Sequence, residues 1–568
     1  MTTETLQDTP SFGWREVVNY GLLGGVVSLY FGAIGMTLLF SVRNLVGTFL
    51  NLGQVLALAG ALGAGYLTGQ AFVKQNARGQ VLRMGLLSGF MAGLPPLILV
   101  IMGTAIPNNS MFVNINDNLV QLITFGLGPV LGSVALVALS ALIGGIGAGF
   151  TLLSARMRKA LVLALIWVFT LGLFSENIGT IVRNILGTAI SRWMFQNKSL
   201  NPVAALVVFI LAFLYSYYEA TGQGRARFQR LAPAQQRNIN LVYAAFMVLL
   251  ALALPWIVGS FLSQVLFIVG LYVIMGMGLN IVVGFAGLLD LGYVAFFAFG
   301  AYTMGALTSP HGFTGGVLNF WLALPVSILV GVLFGVILGF PVLNMRGDYL
   351  AIVTLGFGEI IRVLAYSNWL TPIMGGAQGV LGIPSPSIFG FDLTKPEYMY
   401  YLVLFGGLIA AFIAARLRDS RLGRQWMAMR EDEDVAEAMG INLVQTKLLA
   451  FAIGAGFSAA SGAIFAARLH NIFPNSFGIL VSINVLSLII VGGLGSLPGV
   501  VVGAFILVGM PELLREFAEY RLLMYGILLI VMMLAKPEGF WPEETRKREL
   551  HADEEAWDED ESVLAAAD

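Results

Sequence analysis

Residues 423–447 read GRQWMAMREDEDVAEAMGINLVQTK, and from that last lysine the chain runs into KLLAFAIGAGFSAASGAIFAARL (447–469). Seven ionised side chains fall between Arg424 and Glu437. The stretch that follows is apolar over the length, about 20 residues, that a helix needs to cross roughly 30 Å of hydrocarbon. A strongly charged loop feeding a membrane-length apolar run is the signature of a chain that repeatedly leaves and re-enters a bilayer.

The rest of the sequence repeats the pattern. Of 568 residues, 58% are hydrophobic and only 11% charged, and the mean hydropathy of +0.84 is too high for a soluble domain. Apolar runs recur at 19–41, 48–71, 84–106, 119–152, 160–174 and 203–219. They continue at 240–258, 262–283, 286–308, 319–341, 349–366, 399–416, 447–468, 480–493, 497–514 and 521–535. The run 119–152 is long enough to be tilted or broken. A backbone in hydrocarbon has no water to bond, so helices are the economical way across. A β-barrel would instead show short alternating strands. The 68 glycines let such helices approach closely. The expected fold is therefore all-α, a polytopic membrane helical bundle of about 15 spans.

The absence of cysteine excludes disulfides and thiolate chemistry. Three histidines far apart in sequence, His311, His470 and His551, do not suggest a metal site. The polar start MTTETLQDTPSFGW lacks a cleavable signal pattern. No Gly-Lys dipeptide occurs, so the phosphate-binding loop of an ATPase is absent. Nothing indicates nucleic-acid binding, and no side chain is a candidate for covalent catalysis.

Charge orients the spans, since loops rich in Lys and Arg stay cytoplasmic. Lys74, Arg78 and Arg83 lie in one loop, Arg156, Arg158 and Lys159 in another, and Arg225, Arg227, Arg230 and Arg237 in a third. Loop 416–447 is the fourth. Loops 107–118 and 309–318 have neither Lys nor Arg, and 367–398 has only Lys395. Alternation puts the basic loops inside, with the C-terminus, and leaves Arg515 and Arg521 as a mild misfit outside. Four regions follow: a membrane extension (1–219), a cytoplasmic linker (220–239), a permease-like domain (240–540) and an acidic, disordered tail (541–568).

The opening stretch is thus cytoplasmic. In EDEDVAEAMG, Val435, Ala438 and Met439 fall at i, i+3 and i+4 on one helical face, with acids on the others, and Gly440 is placed as a C-cap. An acid-rich helix suits anionic lipid poorly. A protein groove is the better occupant for its apolar stripe.

These residues carry a family resemblance. GRQWMAMREDEDVAEAMGIN resembles the cytoplasmic coupling loop of ABC-importer permeases, with Met439 in the third place of the Glu-Ala-Ala signature. It is joined in order by GLNIVVGFAGLLDLGYVAFFAFGAYTMGAL (278–307), MRGDYLAIVTLGFGEIIRVL (345–364), GGAQGVLGI (375–383), KLLAFAIGAGFSAASGAIFAARL (447–469) and VGGLGSLPGVVVGAFILVGMPELL (491–514). Together they resemble the LivM-type branched-chain amino acid permease of the hydrophobic amino acid uptake class. The resemblance implies an ABC-importer permease fold for the C-terminal half and transport of branched-chain amino acids. As partners it implies two ABC ATPase subunits, a second permease subunit, an extracytoplasmic substrate-binding protein and the lipid bilayer. This chain would bind no cofactor, and ATP would be used by the partner ATPase subunits. Glu437, Ala438, Met439, Gly440, Val435 and Arg430 would couple to the ATPase, with Arg430 and Arg424 solvated or paired with nearby acids. In 1–239 no loop is comparable to 417–446, which argues against a fused second permease.

Candidates for the translocation path are Gly284, Gly287, Asp290, Gly292, Tyr293, Thr354, Gly356, Gly358 and Glu359. Repeated glycine in 284–305 means close packing or an unwound stretch lining a pathway. Asp290 stands out because a carboxylate at membrane depth is costly, although a helix N-terminus would also stabilise one. Glu359 and Arg362 are spaced for an internal ion pair. The turns GGAQGV (375–380) and GGLGSLPG (492–499), and His470 at a helix end, read as structural. Three competing readings remain: a urea or short-chain amide permease of the same family, a stand-alone secondary transporter, and, more remotely, an intramembrane enzyme.

Overall fold

The computed structural model describes residues 13–74, 78–105, 112–219, 233–342, 345, 347–388, 390–513 and 515–542. Residues 220–232 of the expected linker and 543–568 of the expected acidic tail lie outside the described residues. The chain forms two compact units, Met1–Ala251 and Leu252–Asp568. Among the described residues, ten helices are long and apolar enough to cross a membrane, or eleven if one sharply bent pair counts as a span. The difference from about fifteen arises because several apolar runs form shorter helices, among them Val294–Thr308 and Leu497–Leu513.

In the first unit, Trp14–Ala33, Leu52–Lys74, Val81–Gly93 and Pro129–Leu152 pack through small residues. A side chain at Gly24 would strike the Gly60 carbonyl, and one at Gly65 the Gly144 carbonyl. The run 119–152 is broken: Asp117–Ile123 ends at a turn with positive φ at Phe125, Gly126 and Gly128 before the second helix begins. Ala155–Leu173 is followed, at an 88° bend, by Ser175–Leu186. Pro202–Glu219 completes the unit's apolar helices. Four very short strands, in the order Leu50–Asn51, Asn44–Val46, Ser199–Leu200 and Phe195–Gln196, tie residues 44–51 to 195–200.

The second unit is built around Leu443–Leu469, which packs against Val294–Thr308 and Phe320–Val342. Glycine makes the fit. A Cβ at Gly300 would overlap the Ala459 carbonyl, and one at Gly462 the Phe297 carbonyl. Gly331 and Gly335 face Ala459 and Ala455 in the same way. Without a hydrophobic gradient between helices in lipid, such close contact is the main attraction available. Asp348–Tyr366, Pro396–Arg418 and Ile479–Gly492 complete the bundle.

The expected span 286–308 is helical only from Val294. The helical run Pro233–Leu279 contains Pro255 and a non-helical Gly259 (φ 80°), and it passes into a π-helical stretch, Asn280–Phe285. The chain is then irregular to Tyr293. The structural readings of three other motifs hold. Gly375, Gly376 and Gly379 take positive φ in a turn, as do Gly493 and Gly495 in theirs, and His470 (φ 63°) caps Leu443–Leu469 with Nδ1 2.9 Å from the Ile383 carbonyl.

Gly300→Val should lower the thermal unfolding midpoint of the purified protein, because overpacking costs about 1–3 kcal/mol. Gly407→Ala, where a Cβ meets nothing within 4 Å, should leave the midpoint unchanged or raise it slightly.

Candidate functional site

The irregular stretch 286–293 lies among buried residues, so its backbone groups need partners from the protein. Five side-chain hydrogen bonds hold this stretch and its edges, from 280 to 294, in place. Asn280 Oδ1 accepts the Gly495 N–H at 2.9 Å. Arg430 Nη1 donates to the Gly284 carbonyl at 2.8 Å. Thr354 Oγ1 accepts the Leu291 N–H at 3.0 Å and donates to the Ala351 carbonyl. Asp290 Oδ1 accepts the Gly292 N–H at 2.9 Å. Ser482 Oγ accepts the Val294 N–H, where the next helix starts.

Two glycines allow this packing. Gly292 crosses Asp348–Tyr366 so closely that a Cβ would overlap the Thr354 carbonyl, and Gly358 lies opposite it. Gly287 has φ 72°, and a Cβ there would lie 2.7 Å from Arg430 Cγ. The structure therefore brings Gly284, Gly287, Asp290, Gly292, Thr354 and Gly358 into or against the break. Tyr293 is buried but anchors packing, its hydroxyl 2.8 Å from the Gly454 carbonyl and 3.1 Å from that of Met275. Gly356 has open space around its Cα, and Glu359 pairs with Arg362 at 2.8 Å.

The charged loop forms two helices, not one. Arg421–Glu431 carries Trp426 and Met429 inward, and the buried Trp426 indole N–H donates to the Thr446 carbonyl at 2.9 Å. Glu433–Ala438 follows, with Asp432 as N-cap accepting the Asp434 and Val435 N–H groups. Its end is a Schellman motif: Gly440 (φ 87°) donates to the Glu437 carbonyl and Ile441 to that of Ala436. Ala436 is the inward residue, while Val435 (59% exposed), Glu437, Ala438 and Met439 (80% exposed) face outward.

Arg430 pairs with a neighbouring acid, as expected, and makes one further contact that the sequence does not indicate. It pairs with the neighbouring Glu431 at 2.9 Å, but its guanidinium also reaches the break. Arg424 donates to the Asp419 carbonyl. Lys447, the lysine that opens the apolar run, is buried and bonds Glu433 at 2.9 Å, with only 20% of the glutamate side chain exposed. Trp426, Lys447, Glu433, Asn280 and Ser482 were not singled out from sequence. The spacing of Trp426 and Met429, and an asparagine inside an apolar run, were the available signals.

Removing one member of a buried ion pair costs about 3–5 kcal/mol, and the partial exposure of Glu433 places this pair at the low end of that range. Lys447→Met should therefore speed proteolysis within 431–442 and lower the unfolding midpoint. A double variant with Glu433→Gln should cost less than the sum of the single changes.

The family described as branched-chain amino acid transport system / permease component matches residues 261–535. The high-affinity branched-chain amino acid transport system permease protein LivM of Escherichia coli K12 is 37% identical over 357 residues, covering 56% of this chain and 82% of that protein. Its Salmonella typhimurium counterpart is 39% identical over 319 residues, covering 52% and 73%. The permease protein LivH of Salmonella typhimurium is 24% identical over 284 residues, covering 47% and 90%. No solved structure matches. By these similarities the chain belongs to the branched-chain amino acid transport permease family.

Proposed function

We infer that the chain is the membrane-spanning permease subunit of an ABC importer for branched-chain amino acids, driven through a cytoplasmic coupling helix near 430–441 by ATPase subunits encoded as separate chains. The observation that carries this reading is the outward face of Glu433–Ala438 and its cap. Val435, Ala438 and Met439 form an apolar stripe beside the Glu437 carboxylate, on a helix capped at both ends and tied to the bundle by Lys447–Glu433. An apolar stripe held in water gains by entering a groove on another protein. Glu437 would pair within that groove, and Gly440 would return the chain to the membrane.

In the proposed cycle, closure of two ATPase subunits moves the 420–441 segment as a rigid body. That motion selects between two packings of the break at 280–293. Arg430 links the two directly. Gly284, Gly287, Asp290, Gly292, Thr354 and Gly358 border the path in this proposal, and Tyr293, Gly356 and Glu359 act at its edge. A second permease subunit and an extracytoplasmic binding protein complete the assembly, with the C-terminus inside. In this proposal residues 1–219 form an accessory membrane extension and 240–540 the permease domain. The substrate class follows the LivM relatives, and a urea or amide cargo is the alternative within the same machinery. A stand-alone secondary transporter is the reading that the fully buried Asp290 favours, because an ion-coupled carrier needs an acid in the membrane.

Val435→Asp/Met439→Asp and Glu437→Arg should each reduce co-purification of the ATPase subunits at least tenfold. Membrane insertion and the thermal unfolding midpoint should not change. Uptake of labelled leucine should fall in parallel and that of urea should be negligible in all forms. Full leucine uptake by vesicles lacking the ATPases would establish the secondary-transporter reading instead.

A further inference from the structure

The first unit contains a polar cleft that the transport reading does not use. Ser175–Leu186 leaves the apolar helix Ala155–Leu173 at 88° and is too short to cross a bilayer. Its two faces differ. Glu176, Thr180 and Arg183 recur at i, i+4 and i+7, while Ile178, Ile181, Val182 and Ile185 occupy the other side. After Gly187 (φ 91°) comes a second short helix, Thr188–Met194. Ile185, Leu186, Ile190 and Trp193 are between 42% and 58% exposed. A strongly amphipathic helix with aliphatic and Trp side chains on its outside and cations on its polar face settles in the membrane–water interface.

Between these helices and the strand pair that follows lies a cleft of about 580 Å³. Its walls are fixed internally. Ser175 Oγ donates to the Lys198 carbonyl at 2.5 Å, Ser191 Oγ donates to the Gly179 carbonyl at 2.8 Å, and Phe195–Gln196 pairs with Ser199–Leu200. Its charge is unbalanced. Glu176 is the lining carboxylate, and it is already engaged by Lys198 at 2.9 Å and by the buried Arg43 at 3.8 Å. Arg183 and Arg192 also line the cleft, and neither has a carboxylate partner among the described residues. An ammonium group entering here would find its only lining counter-ion occupied, so a zwitterionic amino acid is a poor match. An anion would meet two guanidinium groups whose forked donors suit phosphate oxygens.

We propose that the cleft lined by Arg183, Arg192 and Lys198 binds a phosphate group, carried by an anionic lipid headgroup or free in solution. The exposed apolar residues beside it would lie along the acyl chains of a lipid so held. The site belongs to the membrane extension and stands independently of the coupling mechanism.

The test is native mass spectrometry of the delipidated full-length protein titrated with phosphatidylglycerol, with phosphatidylcholine, and with phosphatidylglycerol in the presence of millimolar inorganic phosphate. Phosphatidylcholine brings the same phosphate but a cation that the arginines repel. The expected result is one saturable phosphatidylglycerol adduct, formed at least fivefold more tightly than the phosphatidylcholine adduct. R183Q/R192Q should weaken it at least fivefold, R183K/R192K should retain part of it, and the charge-matched R156Q/R158Q should leave it unchanged. Competition by inorganic phosphate assigns the site to the free ion, and lack of competition assigns it to the lipid. Equal affinity for the two lipids with no effect of phosphate overturns the proposal on the wild-type protein alone. Unaltered phosphatidylglycerol binding by a folded R183Q/R192Q protein also overturns it.

Discussion

A helix that stops inside an apolar bundle leaves peptide groups with no water to bond, and here that requirement organises the second unit. The interruption at 280–293 exposes donors and acceptors, each of which would cost several kcal/mol if left unpaired in hydrocarbon. Thr354, Asp290, Ser482 and Arg430 meet the need at Leu291, Gly292, Val294 and Gly284, and Asn280 at the start of the stretch accepts the Gly495 amide. Thr354, Ser482, Arg430 and Gly495 come from separate elements of the bundle. The break is therefore a junction where the 348–366 helix, the 479–492 helix, the 492–499 turn and the charged loop all meet one piece of backbone.

One of those partners differs in kind. Arg430 is supplied by the loop whose next helix presents Val435, Glu437 and Met439 outward. That loop is not floppy. Trp426 is bonded to Thr446, Lys447 to Glu433, Asp432 and Gly440 close the two ends of the short helix, and Arg430 also holds Glu431. A segment braced in this way transmits displacement, whereas a loosely solvated loop would absorb it. Gly287 completes the joint, because only a residue without Cβ leaves room for the Arg430 stem against the backbone at positive φ.

Much of this was legible in the sequence. Apolar runs of spanning length identify the helical membrane fold, and six blocks that resemble the family in order identify the permease half. Gly440 reads as a left-handed cap, and Glu359 and Arg362 are correctly spaced for their ion pair. The break was less visible, because 286–293 is apolar apart from Asp290, its glycines left close packing and an unwound stretch both open, and hydropathy does not record whether a backbone is helical. What stops the helix is a set of side chains distant in sequence, such as Arg430, 146 residues from its acceptor Gly284. Lys447 stands 14 residues from Glu433 at the edge of an apolar run, and only the fold puts the two side by side. Residues 175–200 fell between two apolar runs, and their alternation of polar and apolar faces is too short to register as a span.

Hydrogen–deuterium exchange of the assembled transporter, with and without trapped nucleotide, tests the joint most directly. In the wild-type protein, nucleotide should change exchange at the amides of 286–293 together with those of 433–440. In Arg430→Ala, exchange at 286–293 should rise at rest and lose its response to nucleotide, while 433–440 keeps its own. An identical nucleotide response at 286–293 in both proteins would show that Arg430 does not carry the signal from the loop to the broken helix.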